Sequence, residues 1–146
     1  MKIGIMTYWT SEENYGQILQ GYALQQVLRN MGHEPFLIRY DYRYEPGQMP
    51  FNRPEHFHTR HFEDFRQKYM VVSDKEYMSY HELVSAPPKA DSYIVGSDQV
   101  WYLGLNPENK LNRLHAYFLD FGGEDIQRYA VAASWGGTGT VSKIEG

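Results

Sequence analysis

The first forty residues of the chain have the pattern of two parallel strands joined by a helix. Residues 2–7 (KIGIMT) are a short apolar run with β-branched side chains, which is typical of a buried parallel strand. From residue 17 to residue 31, apolar side chains recur every three or four positions, which predicts a helix that ends at Gly32. Residues 35–40 (PFLIRY) have the composition of a second strand. This order restricts the fold to a βαβ unit with a right-handed crossover.

Strand-like and helical patterns continue to alternate along the rest of the chain. The predicted segments are helices at 55–69 and 75–85, a brief extended piece at 71–73, and strands at 90–95, 116–121 and 128–134. Such alternation predicts an α/β fold, namely a Rossmann-like, mostly parallel sheet with helices on both faces. We expect this domain to span residues 1–137, and residues 138–146 to form a flexible tail or the start of a second domain.

Composition excludes several classes of function. With 146 residues, the chain has the length of one domain. The net charge of −4 and the lack of a basic stripe argue against nucleic-acid binding. There is no cysteine, so thiolate chemistry is excluded. The sequence shows no apolar run near the roughly 18 residues of a membrane span and no signal peptide, so we predict no membrane insertion and a cytoplasmic location.

Three loops follow predicted strands and are expected to meet at one edge of the sheet. Ligands of parallel sheets bind outside the carboxyl ends of the strands. The rule indicates residues 8–16, 96–101 and 134–137. In the third loop, Ser134 stands before glycines, and both a binding role and a purely structural role are open.

The first of these loops leads into the predicted helix through Asn14, Tyr15, Gly16 and Gln17. Unpaired N–H groups at a helix N-terminus suit a carboxylate or phosphate, and Gly16 allows a ligand close to the backbone. The glycine fingerprint G-x-G-x-x-G is absent. In the alternative interpretation, Asn14 caps the helix and Gly16 eases the turn.

The second loop carries the strongest chemical signal, with Gly96, Ser97, Asp98, Gln99 and Trp101. It brings a hydroxyl, a carboxylate and an amide to the ligand edge. Asp98 is the candidate catalytic residue, because a carboxylate there can exchange a proton with a substrate hydroxyl. Trp101 is suited to stack on a sugar. The alternative is that Ser97 or Asp98 caps a helix and Trp101 lies in the core, but the location favours function.

The histidines at positions 56, 58 and 61 resemble a metal cluster only superficially. No carboxylate stands at a zinc spacing, and H-E-x-x-H is absent. A solvated or packed helix face is the favoured interpretation, and no metal site is predicted.

The Glu12-Glu13 pair is most simply a charged turn before a helix.

Six motifs in order resemble the polysaccharide pyruvyl transferase family. They are K-I-G-I-M-T-Y-W at 2–9, N-Y-G-x-x-L-Q-x-Y-A-L-Q at 14–25, G-H-E-x-x-L-I-x-Y at 32–40, I-V-G-S-D-Q-V-W at 94–101, Y-F-L-D-F at 117–121 and Y-A-x-A-A-S-W-G at 129–136. The resemblance implies one half of a two-lobed enzyme similar to GT-B glycosyltransferases. It also implies transfer of pyruvate from phosphoenolpyruvate to two sugar hydroxyls as a ketal, in cell-surface polysaccharide biosynthesis.

The same resemblance implies roles for the loop residues. Asp98 would transfer a proton or orient a hydroxyl. The substrate-binding candidates are Asn14, Tyr15, Gly16, Gln17, Gly96, Ser97, Gln99, Trp101 and Ser134. The implied partners are a sugar or glycan acceptor and phosphoenolpyruvate, which serves as donor substrate, and no further cofactor is expected.

The chain departs from the family in length, because such enzymes have a second half of domain size. The basic residues that clamp phosphoenolpyruvate are expected mostly in that half, with few arginines at the ligand edge of this one. We therefore expect the isolated chain to be inactive. The alternatives are a non-catalytic sugar- or anion-binding module, or a subunit completed by a second domain, a partner chain or another copy. An exposed apolar patch would favour completion by a partner. A nucleotide-using enzyme is disfavoured by the missing glycine fingerprint.

Overall fold

A five-stranded sheet with every strand pairing parallel organises the molecule. The computed structural model describes residues 1–10, 14–46, 59–102 and 111–136. The strands are β1 (Lys2–Met6), β2 (Glu34–Tyr40), β3 (Val72–Tyr77), β4 (Ser92–Val95) and β5 (Gln127–Ala130). Their spatial order is β3-β2-β1-β4-β5, which is the order of a Rossmann-like fold. The predicted fold class is confirmed.

Helices cover both faces of the sheet, as predicted. The helices are α1 (Tyr15–Asn30), α2 (Thr59–Tyr69), α3 (Tyr80–Ser85) and α4 (Leu111–Tyr117), with a short 3-10 turn at Tyr42–Tyr44. One apolar cluster joins α1 and α2 to the sheet through Ile5, Ile18 and Phe62. The other joins α3 and α4 to the opposite face through Leu83 and Tyr117. Alternate residues of each central strand supply the two clusters, so the strands are buried on both sides.

Local signals at both ends explain the bounds of α1. The side chain of Asn14 accepts a hydrogen bond from the Gln17 amide at 3.3 Å, and Gly32 adopts a φ of +85° after the last turn. Inside the helix, the amide of the Gln25 side chain exchanges two hydrogen bonds with the backbone of Val71. This buried pairing ties α1 to the start of β3 and satisfies a polar side chain that has no access to water.

Three segments differ from the prediction. The helix expected at 75–85 begins only at Tyr80, because Tyr77 continues β3 in register with Tyr40. The strand expected at 116–121 is instead the end of α4 and a turn in which Leu119 has a φ of +61°. The strand expected at 128–134 ends at Ala130. The run at 116–121 is short and apolar and fits either period, and its burial against neighbouring elements decided that case.

Other predictions fall where the structure gives no description. The helix expected from residue 55 is described only from Thr59 onward. The pair Glu12-Glu13 and the segment 138–146 lie outside the described residues, so the domain boundary stays a prediction. No helix among the described residues has the length and apolarity needed to cross a membrane.

Exposed apolar side chains gather around β5. All four residues of this edge strand are exposed. Beside it, the rings of Trp101 and Phe118 stack at 5.2 Å, and Trp135 packs against both. Phe118 and Trp135 keep 46% and 44% of their surface exposed. This is the kind of apolar patch that was expected if a partner completes the domain, and the partner itself stays a prediction.

Candidate functional site

The candidate site lies where the chain leaves β1 and β4. These two strands are neighbours at the point where the strand order reverses. The amide of Gly96 donates to the carbonyl of Met6 at 2.8 Å. The Thr7 hydroxyl lies 3.4 Å from the carbonyl of Ser97. The predicted convergence of the first two loops is therefore confirmed.

Gln20 of α1 fixes the two strand ends relative to each other. Its amide nitrogen donates to the Thr7 hydroxyl at 2.6 Å, and its amide oxygen accepts from the Ser97 hydroxyl at 3.0 Å. A side chain at Gly96 would place a Cβ 3.3 Å from Cβ of Thr7 and 3.4 Å from Cδ2 of Leu24. Glycine at this position therefore allows α1 to pack closely against the end of β4.

Asp98 presents a carboxylate oxygen that no described residue satisfies. Its Oδ1 accepts from the Gln99 amide at 2.7 Å, while its Oδ2 is buried and has no hydrogen-bond partner within the described ranges. Leaving a buried acceptor unpaired costs about 1–3 kcal/mol, and more when the group is charged. The buried hydroxyls of Ser92 and Tyr117 likewise have no partner among the described residues, but Asp98 alone of the three stands in a loop beyond the carboxyl end of a strand.

The third loop meets the second at Asp98, again as predicted. Asp98 and Ala133 form an isolated parallel bridge beyond the ends of their strands. The carbonyl of Asp98 accepts from the Ser134 amide at 2.9 Å and from its hydroxyl at 3.3 Å. Ser134 therefore holds the backbone of Asp98 in place.

Tyr8 and Arg113 support the Asp98 loop from the other side. The Tyr8 hydroxyl donates to the carbonyl of Gln99 at 3.1 Å and accepts from Nη2 of Arg113 at 2.5 Å. The buried Arg113 also donates to the carbonyl of Tyr102 at 2.8 Å and lies 4.5 Å from the ring centroid of Tyr42. Among the described residues, no carboxylate forms an ion pair with Arg113. The charge of Arg113 is compensated instead by the Tyr8 hydroxyl, the Tyr102 carbonyl and the rings of Tyr8 and Tyr42.

The surroundings of the Tyr8 hydroxyl keep it protonated. Burial, reinforced by the nearby Tyr42 and Asp98, raises the pKa of Tyr8 to about 12, although the Arg113 guanidinium acts in the opposite direction. At neutral pH Tyr8 is therefore a hydrogen-bond donor and not a general base. The proton-transfer candidate among these groups remains Asp98.

The other predicted site residues have structural contacts of their own. Asn14 caps α1, and the Tyr15 ring, although 64% exposed, packs on Phe62 at 4.6 Å. Gly16 is exposed and Gln17 is partly exposed. The Trp101 indole donates to the carbonyl of Tyr117 at 3.1 Å and stacks on Phe118. The structure thus brings together Gly96, Ser97, Asp98, Gln99 and Ser134. Ligand contacts by these residues and by the other candidates stay predictions.

The expectation of few arginines at the ligand edge is wrong. Arg39, Arg43 and Arg66 line a cavity at the carboxyl ends of β2 and β3, and Arg113 lies beside the Asp98 loop. Sequence reasoning missed these residues and Tyr8. A signal was present for two of them, because Arg66 and Arg113 stand on the apolar faces of their helices, four residues after Phe62 and three before Ala116. A cation at such a position has a buried partner or a ligand.

Histidines and carboxylates offer no candidate metal centre in the part of the chain that the structure describes. His61 is exposed on α2, and the histidines at 56 and 58 lie outside the described residues.

These features define a Rossmann-like domain with a polar edge built from the carboxyl ends of three strands, β1, β4 and β5, that are neighbours in the sheet. The model of the polysaccharide pyruvyl transferase family matches residues 14–143, which is most of the 146-residue chain. The chain belongs to the polysaccharide pyruvyl transferase family. No curated protein and no solved structure matched it.

Proposed function

We propose that this domain forms the acceptor side of a pyruvyl transferase. It would bind a sugar at the ends of β1 and β4 for ketal formation with phosphoenolpyruvate as donor. The observation that carries the proposal is Oδ2 of Asp98, a buried carboxylate oxygen without a partner among the described residues, placed at the strand-order reversal. A sugar hydroxyl is the kind of donor that this oxygen accepts.

The proposed reaction needs one proton acceptor near the sugar. Protonation of the methylene carbon of phosphoenolpyruvate gives a methyl group and an electrophilic C2. One sugar hydroxyl bonds to C2 and loses its proton, and a second hydroxyl then displaces phosphate, which leaves with its bridging oxygen. The two hydroxyls release two protons in all. One replaces the proton that the methylene carbon takes up, and the other leaves on the phosphate. Asp98 would accept a hydroxyl proton or orient that hydroxyl.

The neighbours of Asp98 would preorganise the site. Gln20 holds Ser97, Tyr8 holds the Gln99 carbonyl, and Ser134 holds the Asp98 carbonyl. Groups fixed before substrate binds contribute more to positioning than mobile ones do. The arginines at this edge are already bonded to protein groups, which supports the proposal that the donor phosphate is clamped mainly by residues beyond this domain. We propose that the isolated chain is inactive and that the family reaction serves cell-surface polysaccharide synthesis in the cytoplasm.

A comparison of ligand classes tests the proposed function. The 146-residue chain is titrated separately with galactose, mannose, phosphoenolpyruvate and ATP, and the Gln99 amide resonance is followed by NMR. We expect a sugar to shift this resonance and phosphoenolpyruvate alone to have a smaller effect. Tighter binding of phosphoenolpyruvate than of any sugar would instead assign the donor side, and tight ATP binding would support a nucleotide enzyme. Phosphate release from phosphoenolpyruvate and a sugar by this chain alone would contradict the proposed inactivity.

A further inference from the structure

A cavity lies next to the loop that follows β1, at the carboxyl ends of β2 and β3. Its volume is about 620 Å³, within the roughly 300–1,000 Å³ typical of ligand pockets. The loop after β1 contributes Trp9 to its wall, and Tyr8, the preceding residue, packs on Tyr42 at 5.4 Å. The loop after β1 therefore adjoins both the cavity and the Asp98 site.

The charges that line this cavity are balanced. Three arginines face three carboxylates in pairs, which are Arg39 with Glu76, Arg43 with Asp41 and Arg66 with Glu63. The Arg43 pair is bidentate, with distances of 2.8 and 2.6 Å. Among the described lining residues, cations and anions are equal in number, so these residues together offer no net positive charge to a phosphate or a carboxylate. They do provide alternating donors and acceptors, which suit hydroxyl groups because a hydroxyl both donates and accepts.

Contacts within the protein hold this polar wall in place. Glu63 accepts from Gln67 at 3.0 Å as well as from Arg66, and Arg66 also donates to the Trp9 carbonyl at 3.2 Å. The Trp9 indole in turn donates to the Tyr40 carbonyl at 3.1 Å. Because these groups are held by hydrogen bonds to one another, binding a ligand beside them incurs little additional ordering cost. An indole ring in the wall adds the apolar surface on which sugars pack.

We propose that this cavity binds a neutral saccharide unit of the glycan acceptor, adjacent to the unit whose hydroxyls reach Asp98. The inference rests on the proposed function of the Asp98 site, which it extends from a single sugar to an oligosaccharide. The class of ligand follows from the balanced charge, the ordered donors and acceptors, and the indole.

Two NMR signals test the proposal separately from the proposed function. The Trp9 indole N–H reports on the cavity and the Gln99 amide reports on the Asp98 site. The probes are galactose and mannose trisaccharides, a glucuronate trisaccharide and inorganic phosphate. We expect a neutral trisaccharide to shift both signals, and to bind more tightly than the two anions at Trp9.

Substitutions locate the binding in the cavity. Glu76→Gln removes a carboxylate at the rim while Arg39 keeps its bonds to the backbone of Ser73 and Asp74, so the fold is preserved. We expect it to weaken neutral trisaccharide binding at Trp9 by about tenfold. Gln67→Ala, a second mild change in the wall, should weaken binding in the same direction. Glu34→Gln is the matched control, because Glu34 is exposed at the opposite end of β2.

Each outcome of this experiment bears on the proposal. A Gln99 shift without a Trp9 shift overturns the cavity site and leaves the proposed function standing. A Trp9 shift without a Gln99 shift supports the cavity and counts against the proposed function. Tighter binding of glucuronate or phosphate at Trp9 overturns the neutral ligand class. Unchanged affinity in both Glu76→Gln and Gln67→Ala, or no shift with either neutral trisaccharide, overturns the site.

Discussion

At the scale of single residues, Tyr8 contacts two groups that are both far from it in the sequence. Its hydroxyl bonds to Arg113, which is 105 positions away, and to the carbonyl of Gln99. The first loop thereby meets α4 and the Asp98 loop at one oxygen. The position of Asp98 at the carboxyl edge of the sheet was predictable, because it follows a buried strand by three residues, whereas its role stays a prediction. The partners of Asp98 were not predictable, because their contacts exist only once the order of the strands is known.

Replacement of Tyr8 by phenylalanine tests this link. The Tyr8→Phe change removes one donor from the Gln99 carbonyl and one acceptor from Arg113, which keeps its bond to Tyr102. We expect a loss of about 1–3 kcal/mol in the free energy of unfolding, measured by urea denaturation. Tyr22→Phe is the control, because the Tyr22 hydroxyl has no hydrogen bond among the described residues and its ring contacts survive. Equal stability of the two variants would show that the link contributes little.

At the scale of elements, the two interpretations of the loop before α1 make different predictions for Asn14. As an N-cap, Asn14 supplies an acceptor to the Gln17 amide. The Asn14→Ala change should then lower the free energy of unfolding by about 1 kcal/mol and leave sugar affinity at the Gln99 amide unchanged. Asn30→Ala, at the exposed other end of α1, is the matched control. A loss of sugar affinity of tenfold or more in Asn14→Ala alone would favour the binding role.

The elements that were predicted correctly from the sequence are those with a long or clearly patterned run of apolar residues. β1, α1, β2 and β4 were expected within two residues of their bounds. The segment 116–121 was misread because Ala116, Tyr117, Leu119 and Phe121 are all apolar, and so many apolar residues fit a strand and a helix end alike. Only packing against α3 and the sheet distinguishes these possibilities.

At the scale of the whole molecule, buried tyrosines make the fold sensitive to alkali. Burial raises the pKa of Tyr8 and of Tyr93 to about 12, and it also raises the pKa of Tyr40 and of Tyr117. In the unfolded chain these groups ionise near pH 10, so above that pH the unfolded state has released more protons than the native state. The stability that is present below about pH 10 is therefore lost as the pH rises toward the native pKa values.

Urea unfolding at successive pH values measures this loss. Each such tyrosine should lower the free energy of unfolding by about 1.4 kcal/mol per pH unit between its unfolded and native pKa. Tyrosinate absorbance should rise together with unfolding for the buried rings. Stability that stays constant from about pH 10 to about pH 12 would contradict the burial of these hydroxyls.

The Asp98→Asn variant tests whether Oδ2 of Asp98 accepts a sugar hydroxyl, as we propose. The new Oδ1 can still accept from the Gln99 amide, but an amide nitrogen replaces the free acceptor. The measurement is the dissociation constant of the sugar that shifts the Gln99 amide resonance, with Asp125→Asn as an exposed control. We expect about tenfold weaker binding in Asp98→Asn, with unchanged affinity in the control. Equal affinity in Asp98→Asn and the unmodified chain would contradict the proposal.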